Sequence, residues 1–406
     1  MTQTATRPST RLPGAFHNLW AANLVSTLGD GMLLAVIPLM AKSLTADPQL
    51  IAGVATAGSA PWLLALLGGV VVDRYDRRLL MTWAQIIQAL VVAVMAVVIT
   101  LGLGQLWMLY LLAFAIGAAE VLFTAASQAF VPTLVGREHL EAANGRLIAT
   151  QQVSKQFLGP PLGAALFAFA MPFPFWVNVA TFTLSVLLIS RIRRVGRPVR
   201  GGAPRSIPSE IGEGLRWLVR NRLPRVLTLS AGAGNFCEYM ALSVLVLFAS
   251  DVLGMSDSGF GLLLGAMAVG GVIGGLLSAR IVAWFGGRLV AIGAMTVCPL
   301  AWLAIGLWAR NPVTLVALFT VFSIAISLWS VVALSVRQRL IPDELLGRVT
   351  SASRMLTFGA MPLGALAGGF VARQFGLIAP WIVGGLLSVA VTVLALPALV
   401  RWDEEE

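Results

Sequence analysis

Charge is scarce in this 406-residue chain: 11% of its residues are Asp, Glu, Lys or Arg, where a soluble domain carries roughly a quarter. Lysine occurs twice, at Lys42 and Lys155, and neither lies in GxxxxGK[ST], so an ATPase-type phosphate loop is excluded. No GxSxG elbow and no HExxH helix occurs, which removes two common hydrolase chemistries. The two cysteines, Cys237 and Cys298, both fall in apolar runs, and the two histidines, His17 and His139, are far apart. Neither a disulfide framework nor a metal site is expected from that inventory.

What is present is hydrocarbon. Apolar residues make up 58% of the chain and the mean hydropathy is +0.87. Crossing about 30 Å of bilayer takes about 20 apolar residues in a helix, which satisfies its own backbone there. Twelve such runs occur, at about 16–42, 50–72, 79–101, 106–133, 147–170, 173–190, 226–250, 259–284, 288–310, 312–336, 349–373 and 378–400. The first is too long for a signal-peptide core and lacks a small-residue cleavage site, so it reads as an uncleaved span.

Orientation follows from the 28 basic residues. With both termini cytoplasmic, three lie outside (Lys42, Arg310, Arg373), two lie within spans (Lys155, Arg354) and the remaining 23 face the cytoplasm. That is the positive-inside pattern of a multi-pass protein of the cell membrane, and it accounts for the net charge of +10 without nucleic acid as a partner. The one long polar segment, 191–225, separates an N-terminal bundle (1–190) from a C-terminal bundle (226–406). Its first part, RIRRVGRPVRGGAPRSIPSE, reads as linker; its end, IGEGLRWLVR, reads as a short interfacial helix carrying Leu215, Trp217 and Leu218 beside Arg216 and Arg220. The bundles also repeat one another: GRLIATQQVSKQFLGPPLGA (145–164) matches GRVTSASRMLTFGAMPLGA (347–365).

Three acidic residues lie deep in spans: Asp30, Glu120 and Glu238. A charge at mid-bilayer costs about 2.5–3.5 kcal/mol on the insertion scale, so such groups face a cavity or a partner. Each sits on a polar stripe at helical spacing, with Asn23, Ser26 and Thr27 beside Asp30, with Thr124, Ser127 and Gln128 beside Glu120, and with Asn235 beside Glu238. Desolvation favours the neutral form of a carboxyl, and these three are candidate proton carriers. Lys155 and Arg354 are the candidate basic residues of the cavity: Lys155 as a partner of Glu120, and Arg354, nearer its helix end, either in the cavity or snorkelling to the interface. Ser323, Ser327 and Ser330 form a stripe that serves equally well as interhelical glue. Trp20, Trp62, Phe123, Phe236, Tyr239 and Trp329 are candidate cavity aromatics, and three acids against two bases favour a neutral or cationic amphiphile.

A charged cluster closes the second run: Gly69-Val70-Val71-Val72-Asp73-Arg74-Tyr75-Asp76-Arg77-Arg78. It is similar to the G-x-x-x-D-[RK]-x-G-[RK]-[RK] signature of the major facilitator superfamily, with Asp76 in place of the second Gly. LGDG (28–31), VGREHLEAANGR (135–146) and RQRLIPDELLGRV (337–349) resemble its exporter branch of enterobactin and macrolide efflux proteins. The resemblance covers nearly the whole chain. It implies an all-α polytopic membrane protein of twelve transmembrane helices in two six-helix bundles, with spans 1, 4, 7 and 10 lining a central cavity. It further implies a secondary active transporter, with no catalytic residue and no cofactor, that exports a drug-like or amphiphilic molecule against a proton gradient by alternating access. Siderophore or lipid export, or symport, on the same fold is the alternative, and a non-transporting membrane enzyme or scaffold is a remote one. Protons, a small-molecule substrate and the bilayer are the expected partners of a monomer. Gly69, Asp73, Arg74, Arg77 and Arg78 are implied to form a conformational latch against the start of span 11. Gly159, Pro160, Pro161 and Gly163 resemble the GPxxG core of the antiporter motif and are implied to hinge span 5; Lys155 stands where that motif has Gly, and the Arg of many proton-coupled members is missing from span 4.

Overall fold

The computed structural model describes residues 12–64, 71–72, 74–136, 139–192 and 207–401. Every regular element among them is helical: α1 (Gly14–Leu44), α2 (Pro48–Ser59, extended by a 3-10 turn over Ala60–Leu64), α3 (Arg77–Thr100), α4 (Leu106–Leu134), α5 (140–169), α6 (Phe173–Ser190), α7 (Ile207–Arg220), α8 (Arg222–Leu242), α9 (Asp257–Trp308), α10 (Pro312–Leu340), α11 (Asp343–Phe375) and α12 (Ala379–Val400). Eight helices are individually long and apolar enough to cross a membrane, and a ninth span results if α8 is joined to the helical turn after it across a 43° bend. The chain is a helical membrane protein.

Helix starts follow from short polar signals. Asp47-Pro48 and Asn311-Pro312 each place a capping side chain before a proline that needs no donor partner. Asp47 accepts from the Gln49 amide at 2.8 Å, and Asn311 from that of Thr314 at 2.9 Å. Asp76, the departure from the family's glycine, is the N-cap of α3, accepting from the amides of Arg78 at 2.9 Å and Leu79 at 3.3 Å. Glycine is itself a tolerated N-cap, which reconciles the two residues at one position. Asp76→Ala is therefore expected to cost about 1 kcal/mol and Asp76→Gly only about 0.3, read from unfolding of the detergent-solubilised protein.

Two helix starts, those of α7 and α8, lie earlier than the sequence expectation. The expected division between the eighth and ninth runs is present: within α9 the backbone leaves the helical conformation at Gly286, whose φ of +77° suits a residue without Cβ and turns the chain between two helical arms. The seventh run begins earlier, at Arg222, and after the bend at 243–244 continues as the helical segment Leu245–Val252. The interfacial helix extends to the full α7, and Arg348 at the head of α11 pairs with its Glu213 at 2.6 Å.

Packing is closest where glycine replaces a side chain. A Cβ at Gly163 of α5 would strike the backbone of Met32 on α1, and one at Gly364 of α11 would strike that of Phe236 on α8. The repeated Pro-Leu-Gly-Ala motif thus makes the same contact in both halves of the sequence. Gly270 and Gly274 of α9 abut Thr320 and Ile324 of α10, the small-residue packing expected of that run. Ser323 and Ser327 donate to the carbonyls of Met267 and Gly271 at 3.1 and 3.2 Å, so that stripe is glue.

Two contacts join the halves. α2 packs along α11, and α9 packs along α5, where Gly261 and Gly265 meet Pro160 and Pro161. At the end marked by Lys42, ion pairs cross between halves: Lys42 with Asp257 at 3.9 Å and Arg373 with Asp47 at 3.5 Å, while Arg373 also donates to Gln49 at 3.0 Å. At the opposite end, the described polar contacts of Arg78 and Arg348 stay within their own halves, Arg78 donating to the carbonyls of Ile189 and Ser190 at 3.2 and 2.6 Å.

Candidate functional site

The interior holds three adjoining cavities. The first, of about 390 Å³, runs from Asp30 and Glu120 to Asn144 near the start of α5. The second, of about 630 Å³, lies among α8 to α12. The third, of about 410 Å³, extends from Asp30 and Glu120 toward Pro38 and Val54. Asp30, Glu120 and Lys155 line both the first and the third, so this trio stands between them.

Lys155 donates to Glu120 across α5 and α4, and the pair is largely buried, with side chains 14% and 23% exposed. Asp30 is 8% exposed and accepts from Gln88 Nε2 at 3.3 Å. Behind it runs a buried chain, in which Gln85 Nε2 donates to Gln88 Oε1 at 3.0 Å and to Ser26 Oγ at 2.8 Å. Asn23 donates to Ser127 at 3.3 Å, tying α1 to α4. Of the sequence candidates, Asp30, Glu120, Lys155 and Asn23 are thus brought together.

The backbone that carries Lys155 is unusual. α5 is helical over Leu140–Thr150, becomes a π-helix over Gln151–Leu158 and resumes over Gly159–Phe169. The repeated motifs contain the reason: from Gly-Arg to the final Ala, the first copy has one residue more than the second. A π-turn absorbs a single inserted residue in a helix and is frequent at functional sites. It begins before the Pro pair and carries Lys155, whose backbone lies against Gly31 of α1. Gly159 and Gly163 lie against Gly31 and Met32, so these glycines serve close packing between α1 and α5.

The remaining candidates fall elsewhere. Glu238 is half-buried on α8, next to Tyr239, which lines the third cavity together with Asp30, Glu120 and Lys155. Asn235 donates to the Thr357 carbonyl at 2.9 Å and lines the second cavity. Arg354 is exposed and also lines the second cavity, its guanidinium carbon 5.8 Å from the Phe358 ring centroid. Phe123, Trp62, Tyr239 and Trp329 line cavities; Trp20 donates to Thr150 at 2.8 Å, and Phe236 supplies the backbone face for Gly364. Of the latch residues, Gly69 and Asp73 lie outside the described residues; Arg74 and Arg77 flank the Asp76 cap, and Arg78 caps the end of α6. Gln85 and Gln88 were not singled out by charge, although two amides three residues apart in an apolar run are the signal for them.

The family model described as transmembrane secretion effector matches residues 10–406, and the chain belongs to that family of major facilitator transporters. It is 26% identical over 407 residues to the uncharacterized MFS-type transporter YfiS of Bacillus subtilis (strain 168), covering 96% of this chain and 94% of that one. Macrolide efflux protein A of Streptococcus pyogenes is 24% identical, covering 93% and 94%, and enterobactin exporter EntS of Salmonella typhimurium is 26% identical, covering 95% and 92%. Among solved structures, the nucleoside transporter NupG superposes with a TM-score of 0.76 at 13% identity, covering 96% of this chain and 100% of that one. A bacterial homologue of the iron transporter ferroportin in an inward-facing state gives 0.71 at 18% identity, covering 95% and 99%. The protein is a transporter and not an enzyme.

Proposed function

We propose that the chain is a proton-coupled exporter of drug-like or amphiphilic small molecules, built of twelve spans in two six-helix bundles that rock about a central site. The observation that carries this reading is the position of the Lys155–Glu120 pair, with Asp30, between two cavities on a helix that also touches the other half. A proton arriving at either carboxylate changes the attraction on Lys155, and Lys155 sits in a π-turn packed on both α1 and α9. Local charge is thereby linked to the α5–α9 contact that must loosen when the halves rock.

Orientation supports an inward-facing state. The positive-inside pattern puts Lys42, Asp47, Arg373 and Asp257 on the outer side, where their ion pairs tie the halves together. The first cavity extends toward the Arg78 and Arg348 end, on the side that pattern makes cytoplasmic and where both termini would lie. Relatives named for macrolide efflux and enterobactin export favour bulky amphiphiles as cargo.

One proton moving through 100 mV releases about 2.3 kcal/mol, enough for roughly a fifty-fold gradient of a neutral solute. The test is uptake into proteoliposomes with an acidic lumen, using erythromycin, ethidium and a catechol siderophore. At least one is expected to accumulate in exchange for outgoing protons and to leak back when a protonophore is added. Uptake of all three that ignores the gradient would contradict the proposal.

A further inference from the structure

The second cavity differs in charge from the other two. Its lining includes Arg337 and Arg354 and no carboxylate, whereas Glu120 and Asp30 line the first and third. Arg337 donates its Nε to the Ala333 carbonyl at 3.1 Å, a contact that leaves the terminal nitrogens of the fork uncommitted. The guanidinium carbon of Arg354 lies 5.8 Å from the Phe358 ring centroid, within cation–π range, and no hydrogen bond or ion pair among the described residues engages its N–H groups. Asn235 and Ser230 add polar groups beside them, and Trp329, Met295 and Leu334 supply an apolar wall. A volume of about 630 Å³ falls within the range of about 300–1,000 Å³ usual for small-molecule sites, which combine an apolar lining with few polar anchors.

We infer that this cavity binds an amphipathic organic anion, an apolar body against Trp329 and Phe358 with its carboxylate, phosphate or sulfonate on Arg337 and Arg354. Arginine is the side chain whose planar fork matches such groups bidentately. Half-buried Arg337 and exposed Arg354 face one cavity with no carboxylate among its described lining residues, and a ligand anion supplies the missing opposite charge. The cargo preference read from the whole chain, neutral or cationic, counted three acids, none of which lines this cavity: Glu120 is paired with Lys155, Asp30 lines the first and third cavities, and Glu238 acts electrostatically on Cys298 of the cavity wall without lining it. The inference rests on the reading of this interior as a transport path, and it assigns cargo binding to the half opposite the proton-bearing trio.

The test is binding, with no gradient imposed, to the full chain in nanodiscs of zwitterionic lipid. Three probes of one shape are compared: pyrenebutyrate, pyrenebutanol and pyrenebutyl-trimethylammonium. Pyrenebutyrate is expected to bind about tenfold tighter than the alcohol, and Arg354→Gln or Arg337→Gln to remove that preference while leaving alcohol binding unchanged. Arg354→Lys should recover part of it, and Arg310→Gln, an equal change of net charge at the far end, should leave it intact. Nanodiscs containing phosphatidylglycerol separate the two sources of such an anion: displacement of pyrenebutyrate marks a lipid headgroup, and undiminished affinity marks a soluble anion. Equal binding of the three probes, tighter binding of the cation, or a preference that survives both glutamine variants would overturn the assignment. Such a result would leave gradient-driven transport standing, whereas a chain that binds the anion yet transports nothing would sink only the transport reading.

Discussion

Glu120→Leu is expected to destabilise the protein by about 3 kcal/mol, because it strands the Lys155 ammonium in a site where that side chain is 14% exposed. The loss belongs to the orphaned charge and not to the carboxylate itself. Replacing both partners, Glu120→Leu with Lys155→Met, should recover most of it, since a buried pair exchanged for apolar groups of similar volume is often neutral or stabilising. The measurement is a double-mutant cycle of unfolding in detergent, where strong coupling identifies a real pair. Additive effects would mean that Lys155 finds another partner, and Asp30 is the nearest alternative among the cavity residues. The double variant separates stability from function: folded, and without the charges that the coupling proposal requires.

Gly31→Val should be the more damaging packing change, at about 3 kcal/mol or more. A Cβ at Gly31 would run into the backbone of Lys155, and Gly159 faces Gly31 in turn. Backbone cannot move aside as the end of a flexible side chain can, so α1 and α5 would have to separate. Separation at this level displaces the π-turn that sets the height of Lys155. Purified yield and midpoint of thermal unfolding read the effect, and Gly31→Ala should show a smaller version of it. A Val variant as stable as the parent would mean that the π-turn relaxes without cost and is no fixed part of the site.

Much of the site was legible in the chain because burying charge in a span is expensive. Asp30, Glu120 and Lys155 stood out against runs of Leu, Val and Ala, and the fold brings them to one level. Gln85 and Gln88 escaped a search for charge, since an amide costs far less to bury, yet they form the hydrogen-bonded support of Asp30. Glu238 carried the same signal as Asp30 and yet is not among the lining residues of the three cavities, because periodicity gives a face and not the neighbour across it. Arg354 allowed two readings from its distance to the helix end, cavity or interface, and it is both a lining residue of the second cavity and exposed, beside a Phe358 ring one turn away.

Two local features had readable causes. The π-turn follows from one extra residue between otherwise matching motifs, an offset visible on alignment of the halves. Asp76 appeared to break a signature, while at the first residue before α3 an acceptor side chain does what a helix start requires. The break at Gly286 stands where the sequence separates two apolar runs at a Gly pair.

The central claim is that the carboxylates between the cavities couple cargo to protons, and Asp30→Asn tests it most directly. The variant and the parent are compared in proteoliposomes by two readouts: exchange of cargo at equal concentration on both sides, and accumulation driven by an imposed pH gradient. Asn preserves the size of the side chain and its bond with Gln88, so exchange should continue, while gradient-driven accumulation falls to the level of protein-free liposomes. Accumulation by Asp30→Asn at the parent's level, with exchange intact, would contradict the account.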